Sequence, residues 1–287
     1  MRPRDIALAT LPPAPALWAI TYVVAKPVTA SFPPMLLMSI AYALTALVLF
    51  RPWTRMRTSW WVLLAAGSLG GSLQSALVFS GIERVPASLA ILVVQAQVPF
   101  AVLAAWAIGQ ERMNARRLAG IVIAISGVAV VVGLPSSIGE LGGLLMIVLG
   151  TLSWGVAQGI IRAASGDPGA RLMGAMSAIA APQLLAMSLF LESGQGHALA
   201  AASLLDWLGV GVLALGGFVA AYSIWYGLLR LYRVDQIAPF ALLMPILGVI
   251  AAFFILGERP SMPALAGGLV ILFGLGLVVR TPKPARA

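Results

Sequence analysis

The sequence predicts an all-α membrane protein of ten transmembrane helices in a 5+5 inverted repeat. Three observations carry that prediction. The first is composition. The 287 residues are 61% hydrophobic and 9% charged, where a soluble domain has about 25% charged residues. Ten stretches contain no Asp, Glu, Lys or Arg: 6–25, 27–50, 58–82, 85–110, 118–139, 141–161, 172–191, 207–229, 236–257 and 260–279. Each is long enough as a helix to cross a hydrocarbon core, which takes about 20 apolar residues. The first run follows Arg2 and Arg4 as a signal peptide would, but nine further spans make it an uncleaved first helix.

The second observation is an internal copy. Glu111-Arg112 recurs as Glu258-Arg259, Leu118-Ala119-Gly120 as Leu265-Ala266-Gly267, and Gly127 as Gly274, all at one offset near half the chain. Pro99 falls one residue from Pro245 in the same alignment. A chain that repeats at half its length divides into two units, here 1–139 and 140–287. Together they form a single integral membrane domain.

The third observation is charge. Assigning alternate gaps to opposite sides puts Arg2, Arg4, Arg51, Arg55, Arg57, Arg112, Arg116, Arg117, Arg162, Arg171, Arg230, Arg233, Arg280, Lys283 and Arg286 on one side. Only Lys26, Arg84 and Arg259 fall on the other. The basic side is cytoplasmic, so both termini are expected inside. Five spans per half place the second half upside down. The loop carrying Arg112, Arg116 and Arg117 accordingly keeps only Arg259 in its copy. Inverted repeats of this kind characterise secondary transporters that expose a midplane site alternately.

Taken in order, run one places Trp18, Tyr22 and Lys26 at i, i+4, i+8 on one helix face, and run six repeats the spacing with Trp154, Gln158 and Arg162. One reading is an interfacial Trp with a snorkelling basic residue. The other is a cavity face ending in a gate. Runs two and seven read as peripheral packing helices. Runs three and eight share Gly70-Gly71 and Gly216-Gly217, which let helices approach closely in lipid. Below the glycines lie Gln74 in one and Phe218, Tyr222, Trp225 and Tyr226 in the other. Runs four and nine carry Gln95, Gln97 and Pro99, and Pro239, Met244 and Pro245. A proline inside a helix removes a hydrogen bond and kinks it, so Pro99 and Pro245 are candidate hinges. Runs five and ten, rich in Gly and Val, read as packing or dimer-contact helices. The longest loop, Ser193 to Ala202, holds the only histidine, His197.

These features resemble the drug/metabolite transporter superfamily, in its EamA-type branch. The residues that carry the resemblance are Leu17-Trp18 with Lys26, Phe32-Pro33-Pro34, Gly109-Gln110-Glu111-Arg112 and Leu256-Gly257-Glu258-Arg259. The chain is similar to the YddG-type amino-acid exporters of that branch. The resemblance implies a 5+5 inverted fold, a bacterial inner-membrane location and export of metabolites, with aromatic and other neutral amino acids as substrates. Ala19 stands where the family usually has Gly, and Ala41-Tyr42 near where it often has Arg.

The chemistry excludes other classes. There is no cysteine, and every Asp and Glu lies at a span end or in a loop. No span interior offers a nucleophile with a base or a cluster of metal ligands, so neither an enzyme nor a metal or other cofactor is expected. Nucleic acid is not expected either, because the basic residues punctuate apolar runs instead of forming a stripe. No ring of charges suggests a channel, and a purely structural protein has no use for inner amides. The candidate cavity therefore comprises Trp18, Tyr22, Gln74, Gln95, Gln97, Trp154, Gln158, Tyr222 and Trp225. Such a lining is aromatic and amide without net charge. It suits small neutral or amphipathic molecules moved by alternating access. Aromatic faces also attract cations, which leaves a quaternary-cation drug exporter as the rival. The expected partners are a small-molecule substrate and the lipid bilayer, with the chain a monomer or a homodimer.

Overall fold

The ten charge-free runs each carry a helix in the computed structural model, which describes residues 13–51, 54–110, 112–133, 135–231 and 240–279. In chain order these are α1 (Pro13–Ser31), α2 (Pro34–Leu49), α3 (Trp60–Arg84), α4 (Ala87–Ala107), α5 (Ala115–Val132), α6 (Ile138–Ala164) and α7 (Gly169–Leu191). Next come the short α8 (Gln195–Ala201) and α9, which runs on through Leu204–Gly211, Val212–Ala220 and Ala221–Leu231. The last two are α10 (Leu243–Leu256) and α11 (Met262–Val279). No strand occurs among the described residues.

Seven of these helices, α3 to α7, α9 and α11, are long and apolar enough to cross a membrane. The shorter α2 and α10 are also apolar. Glu111, Asp235, Pro239, Arg233 and the basic residues of both termini lie outside the described residues. The outward surface is itself apolar: Phe190 is 87% exposed and Phe254 77%. Lipid tails are the solvent such a surface fits.

One loop differs from expectation. The polar stretch after α7 contains a helix, α8. Gly194, at φ +81, turns the chain in the left-handed region that glycine alone enters at no steric cost. The alanines that follow favour a helical turn, and Gln195 Nε2 ties it back by donating to Ser188 O at 2.7 Å.

Small residues decide which helices meet. α5 and α11 pack along their length. A Cβ at Gly120 would lie 2.7 Å from Gly274 O, and one at Gly127 2.8 Å from Gly267 O. The same contact is thus made twice, by residues that correspond in the two halves. These helices are intramolecular packing partners, as one of the two sequence readings had it. α6 packs on both α3 and α4, while α1 packs on α9 and α10.

Two irregularities recur at matched depth. The Gly-rich centres of α3 and α9 widen into π-helix, over Gly67–Leu73 and Val212–Ala220. Such turns are rare and frequent at functional sites. α4 is interrupted at Gln95 and Ala96, and its second piece, Gln97–Ala107, carries Pro99 in its first turn. Gln95 O cannot bond the missing N–H of Pro99 and accepts from Val98 N instead, at 3.2 Å. In α10, Pro245 likewise sits in the first turn, after a turn at Leu242. A first-turn proline is tolerated because its N–H has no helical partner anyway.

The boundary carboxylates fasten the helix ends. Glu192 accepts from the N–H groups of Met35 and Leu36 at the start of α2. Glu258 does the same for Ala87 and Ser88 at the start of α4, at 2.8 Å each. Asp167 accepts from the N–H groups of Arg57 and Thr58 just before α3. Helix starts leave N–H groups without intrahelical acceptors, and a carboxylate there meets both the hydrogen bonds and the dipole.

Candidate functional site

Residues of α1, α4, α6, α9 and α10 line an open cavity of about 450 Å³. Eight of the nine sequence-predicted residues line it: Trp18, Tyr22, Gln95, Gln97, Trp154, Gln158, Tyr222 and Trp225. The ninth, Gln74, lines a smaller adjoining cavity of about 50 Å³, which shares Trp18, Tyr22, Gln97, Trp154 and Tyr222 with the large one. The large cavity follows successive turns of α6 through Gln158 and Ile161 to Arg162, so it reaches the Arg162 end of the bundle.

Tyr222 is the hub of the lining. Its ring meets Trp18 edge-on at 5.2 Å and Trp154 at 6.4 Å, stacks on Phe218 at 6.4 Å and tilts against Tyr226 at 5.8 Å. Trp18 also meets Trp225 at 5.4 Å. The two matched tryptophans therefore flank one tyrosine, joining α1 and α6 through α9. Gly217 makes this possible, since a Cβ there would lie 2.5 Å from Thr21 Oγ1 on α1.

The amides differ in their bonding. Ser75 Oγ donates to Gln74 Oε1 at 2.9 Å and stands 3.0 Å from Tyr42 Oη. The serine proton is committed to Gln74, so Tyr42 is the donor in that pair. Gln95 is 3% exposed, and its Nε2, like Trp18 Nε1, is buried with no hydrogen-bond partner among the described residues. A buried donor left unpaired costs about 1–3 kcal/mol.

The two candidate gate residues part company. Arg162 lines the large cavity. Lys26 does not: its Nζ donates to Ile82 O and Glu83 O at the end of α3, both at 2.9 Å. With Glu258 capping Ala87 and Ser88, the α3–α4 connection is held from both sides, by α1 and by the α10–α11 loop. Outside this clasp lies another cavity, about 540 Å³, lined by Ser31, Ser80, Glu83, Arg84 and His197 among others. Pro99 is buried beside the break in α4, and Pro245 is buried at the start of α10.

Sequence reasoning missed part of the lining. α2 and α7 read as peripheral, yet Tyr42 from α2 and Met173 and Met176 from α7 line the small cavity, with Phe79 and Phe218. Tyr42 was the one polar aromatic in an otherwise featureless run and could have been flagged. Methionines in an apolar run give no such signal.

An aromatic and amide cavity that opens toward one end of a helical membrane bundle is the build of a small-molecule carrier. The chain belongs to the EamA-like transporter family, which matches residues 11–133 and 141–280. It is therefore a multi-pass membrane transporter and not an enzyme. It is 30% identical over 268 residues to a "Probable amino-acid metabolite efflux pump" of Salmonella typhimurium, covering 90% of each chain. A protein of the same description from Escherichia coli is also 30% identical, over 269 residues and 90% of each chain. One crystal structure is similar at a TM-score of 0.66 and 19% identity, over 95% of this chain and 96% of that one. That likeness concerns the fold alone.

Proposed function

We propose that this chain exports small neutral or zwitterionic metabolites, amino acids above all, across the bacterial inner membrane by alternating access. The observation that carries the reading is the cavity of about 450 Å³, walled by tryptophan, tyrosine and glutamine without a carboxylate. Unpaired donors at Trp18 Nε1 and Gln95 Nε2 favour a substrate that brings an acceptor, such as a carboxylate. The relatives described as amino-acid metabolite efflux pumps point the same way.

In this reading the fold is ten transmembrane helices in a 5+5 inverted repeat, divided near residue 140, with both termini cytoplasmic. The reciprocal contacts of Gly120 with Gly274 and Gly127 with Gly267 support it. A two-fold axis lying in the membrane would exchange these pairs. The Arg162 end is then the cytoplasmic entrance, and the Lys26 clasp closes the exit. Substrate enters past Arg162, stacks between Trp18, Trp154 and Tyr222, and leaves when the clasp opens. Pro99 and Pro245 bend α4 and α10 between states. Every carboxylate among the described residues sits at a helix end or in a loop, so substrate moves down its own gradient with no coupled proton or cation.

The test is flux in proteoliposomes. Neutral amino acids are expected to exchange without an imposed ion gradient. Transport of tetraethylammonium in their place would favour the drug-exporter reading, for which the aromatic walls also suffice. Accumulation driven by a pH or sodium gradient would refute the uncoupled mechanism.

A further inference from the structure

The small cavity belongs to the site but has no role in the account above. It lies against the large one across Trp18, Trp154 and Tyr222, which wall both. Its own lining is mostly apolar, with Met173 and Met176 of α7, each 4% exposed, and Phe79 and Phe218, beside the polar groups of Thr21, Tyr42 and Gln74. At about 50 Å³ it offers room for a few water-sized groups, at 10–15 Å³ each. The floor is tight, since a Cβ at Gly70 would come within 3.2 Å of Met176 Cε and 3.1 Å of Trp154 Cε3.

We infer that this small cavity is the subsite for the apolar part of the substrate, with Met173 and Met176 setting the size it accepts. The inference rests on the transporter reading. The polar head stays in the large cavity, where the amides of Gln95, Gln97 and Gln158 serve either a carboxylate or an ammonium group. The side chain passes the tryptophan–tyrosine line and displaces water into the larger space. Methionine is unbranched and flexible, so its thioether moves to fit groups of different shape. A wall built from two of them gives a carrier that accepts a range of apolar side chains, with aliphatic groups fitting unaided and large rings only after the methionines shift. Each methylene buried there is worth about fourfold in affinity.

The experiment measures exchange of alanine, leucine, phenylalanine and tryptophan in proteoliposomes carrying wild-type protein, Met176→Ala or Met176→Phe. Met176→Ala is expected to raise the ratio of tryptophan to alanine flux about fivefold. Met176→Phe is expected to lower it by a similar factor. The two variants push the ratio in opposite directions, so either alone decides if the other fails to fold. A ratio that stays at the wild-type value while all fluxes scale together overturns the subsite and leaves amino-acid transport intact. If wild-type protein carries tetraalkylammonium ions and no amino acid, the amino-acid reading falls. The same variants are then compared on tetramethyl- and tetrabutylammonium, where an unchanged ratio overturns the subsite and a shifted one upholds it.

Discussion

α1 and α6 carry the same pattern, and the structure uses its two ends differently. Trp18 and Trp154 both meet Tyr222, and Tyr22 and Gln158 both line the large cavity. One helical turn further on, Lys26, half-buried, donates to the carbonyls of Ile82 and Glu83, whereas Arg162 lines the large cavity. Equal spacing places equal faces inward. What differs is the neighbour at the end of the helix. Lys26 meets the C-terminal carbonyls of α3, whose partial negative charge attracts a cation, and Arg162 lines the large cavity. Equal spacing thus turns the same face of α1 and α6 toward the cavity, and the surroundings decide what the basic residue at the end of each helix meets.

The shared part of the pattern should matter most. Trp154→Ala and Trp18→Ala are each expected to lower flux at least tenfold, because each removes one wall of the Tyr222 cluster. A tenfold loss corresponds to about 1.4 kcal/mol, within the range for a lost aromatic contact and its buried area. Both proteins should still insert and purify as folded monodisperse material. Full flux in either variant would show that the two faces are not equivalent.

The differing ends come next. The chain has no cysteine, so a single introduced one reports accessibility cleanly. Ala101 lines the large cavity, and Ala101→Cys is expected to react with a polar thiol reagent. Adding Lys26→Met removes two charge-assisted hydrogen bonds at the clasp, each worth about 1.5–3 kcal/mol. The closed-exit state should lose population, and labelling should slow roughly tenfold. Arg162→Met, at the open end, should change labelling by much less. Equal effects from the two substitutions would erase the distinction between the ends.

The contact of α5 with α11 gives a smaller effect. A Cβ at Gly274 would lie 2.4 Å from Ala124 N, whereas one at Gly276 meets nothing within 4 Å. Gly274→Ala is expected to cost about 1–3 kcal/mol through overpacking, read as a lower midpoint in thermal unfolding in detergent. Gly276→Ala on the same helix should be neutral or slightly stabilising, as alanine is the better helix former.

Much of this was legible because the bilayer simplifies the code. Charge-free runs marked every helix described except the short α8, and the i, i+4 spacing put Trp18 with Tyr22 and Trp154 with Gln158 on shared faces. An amide facing lipid is costly, which singled out Gln74, while Gln95 and Gln97 were legible as amides beside Pro99. Gln74 was placed one compartment off, since its distance from the other amides depends on how the π-turn of α3 rotates the face below it. Met173 and Met176 were illegible, because an apolar side chain in lipid looks the same from sequence whether it faces acyl chains or a cavity. The clasp was illegible too: it is made to backbone carbonyls, which every residue has.

The smallest effect concerns the tie that remains at the open end. Asp167 follows α6, and its side chain is fully covered, with its hydrogen bonds going to Oδ2 and with Oδ1 facing Arg171 at 3.4 Å. Burial alone would raise its pKa. The hydrogen bonds from the Thr58 hydroxyl, Thr58 N and Arg57 N, together with the Arg171 guanidinium, outweigh this and hold it below the usual carboxylate value. A carboxyl whose pKa is lower folded than unfolded stabilises the fold above its unfolded value. That stabilisation fades as pH falls through the folded one. Asp167→Asn should therefore cost about 1 kcal/mol at neutral pH, comparable to losing a helix cap. The difference from wild type should shrink in acid, below the ordinary carboxylate range, where the wild-type carboxyl is itself protonated. Because the loop binds α6–α7 to the start of α3 and leaves the Lys26 clasp untouched, Ala101→Cys labelling should stay at its starting rate in this variant. A labelling change as large as that from Lys26→Met would mean that the Arg162 end is also latched, and that Asp167 is part of the latch.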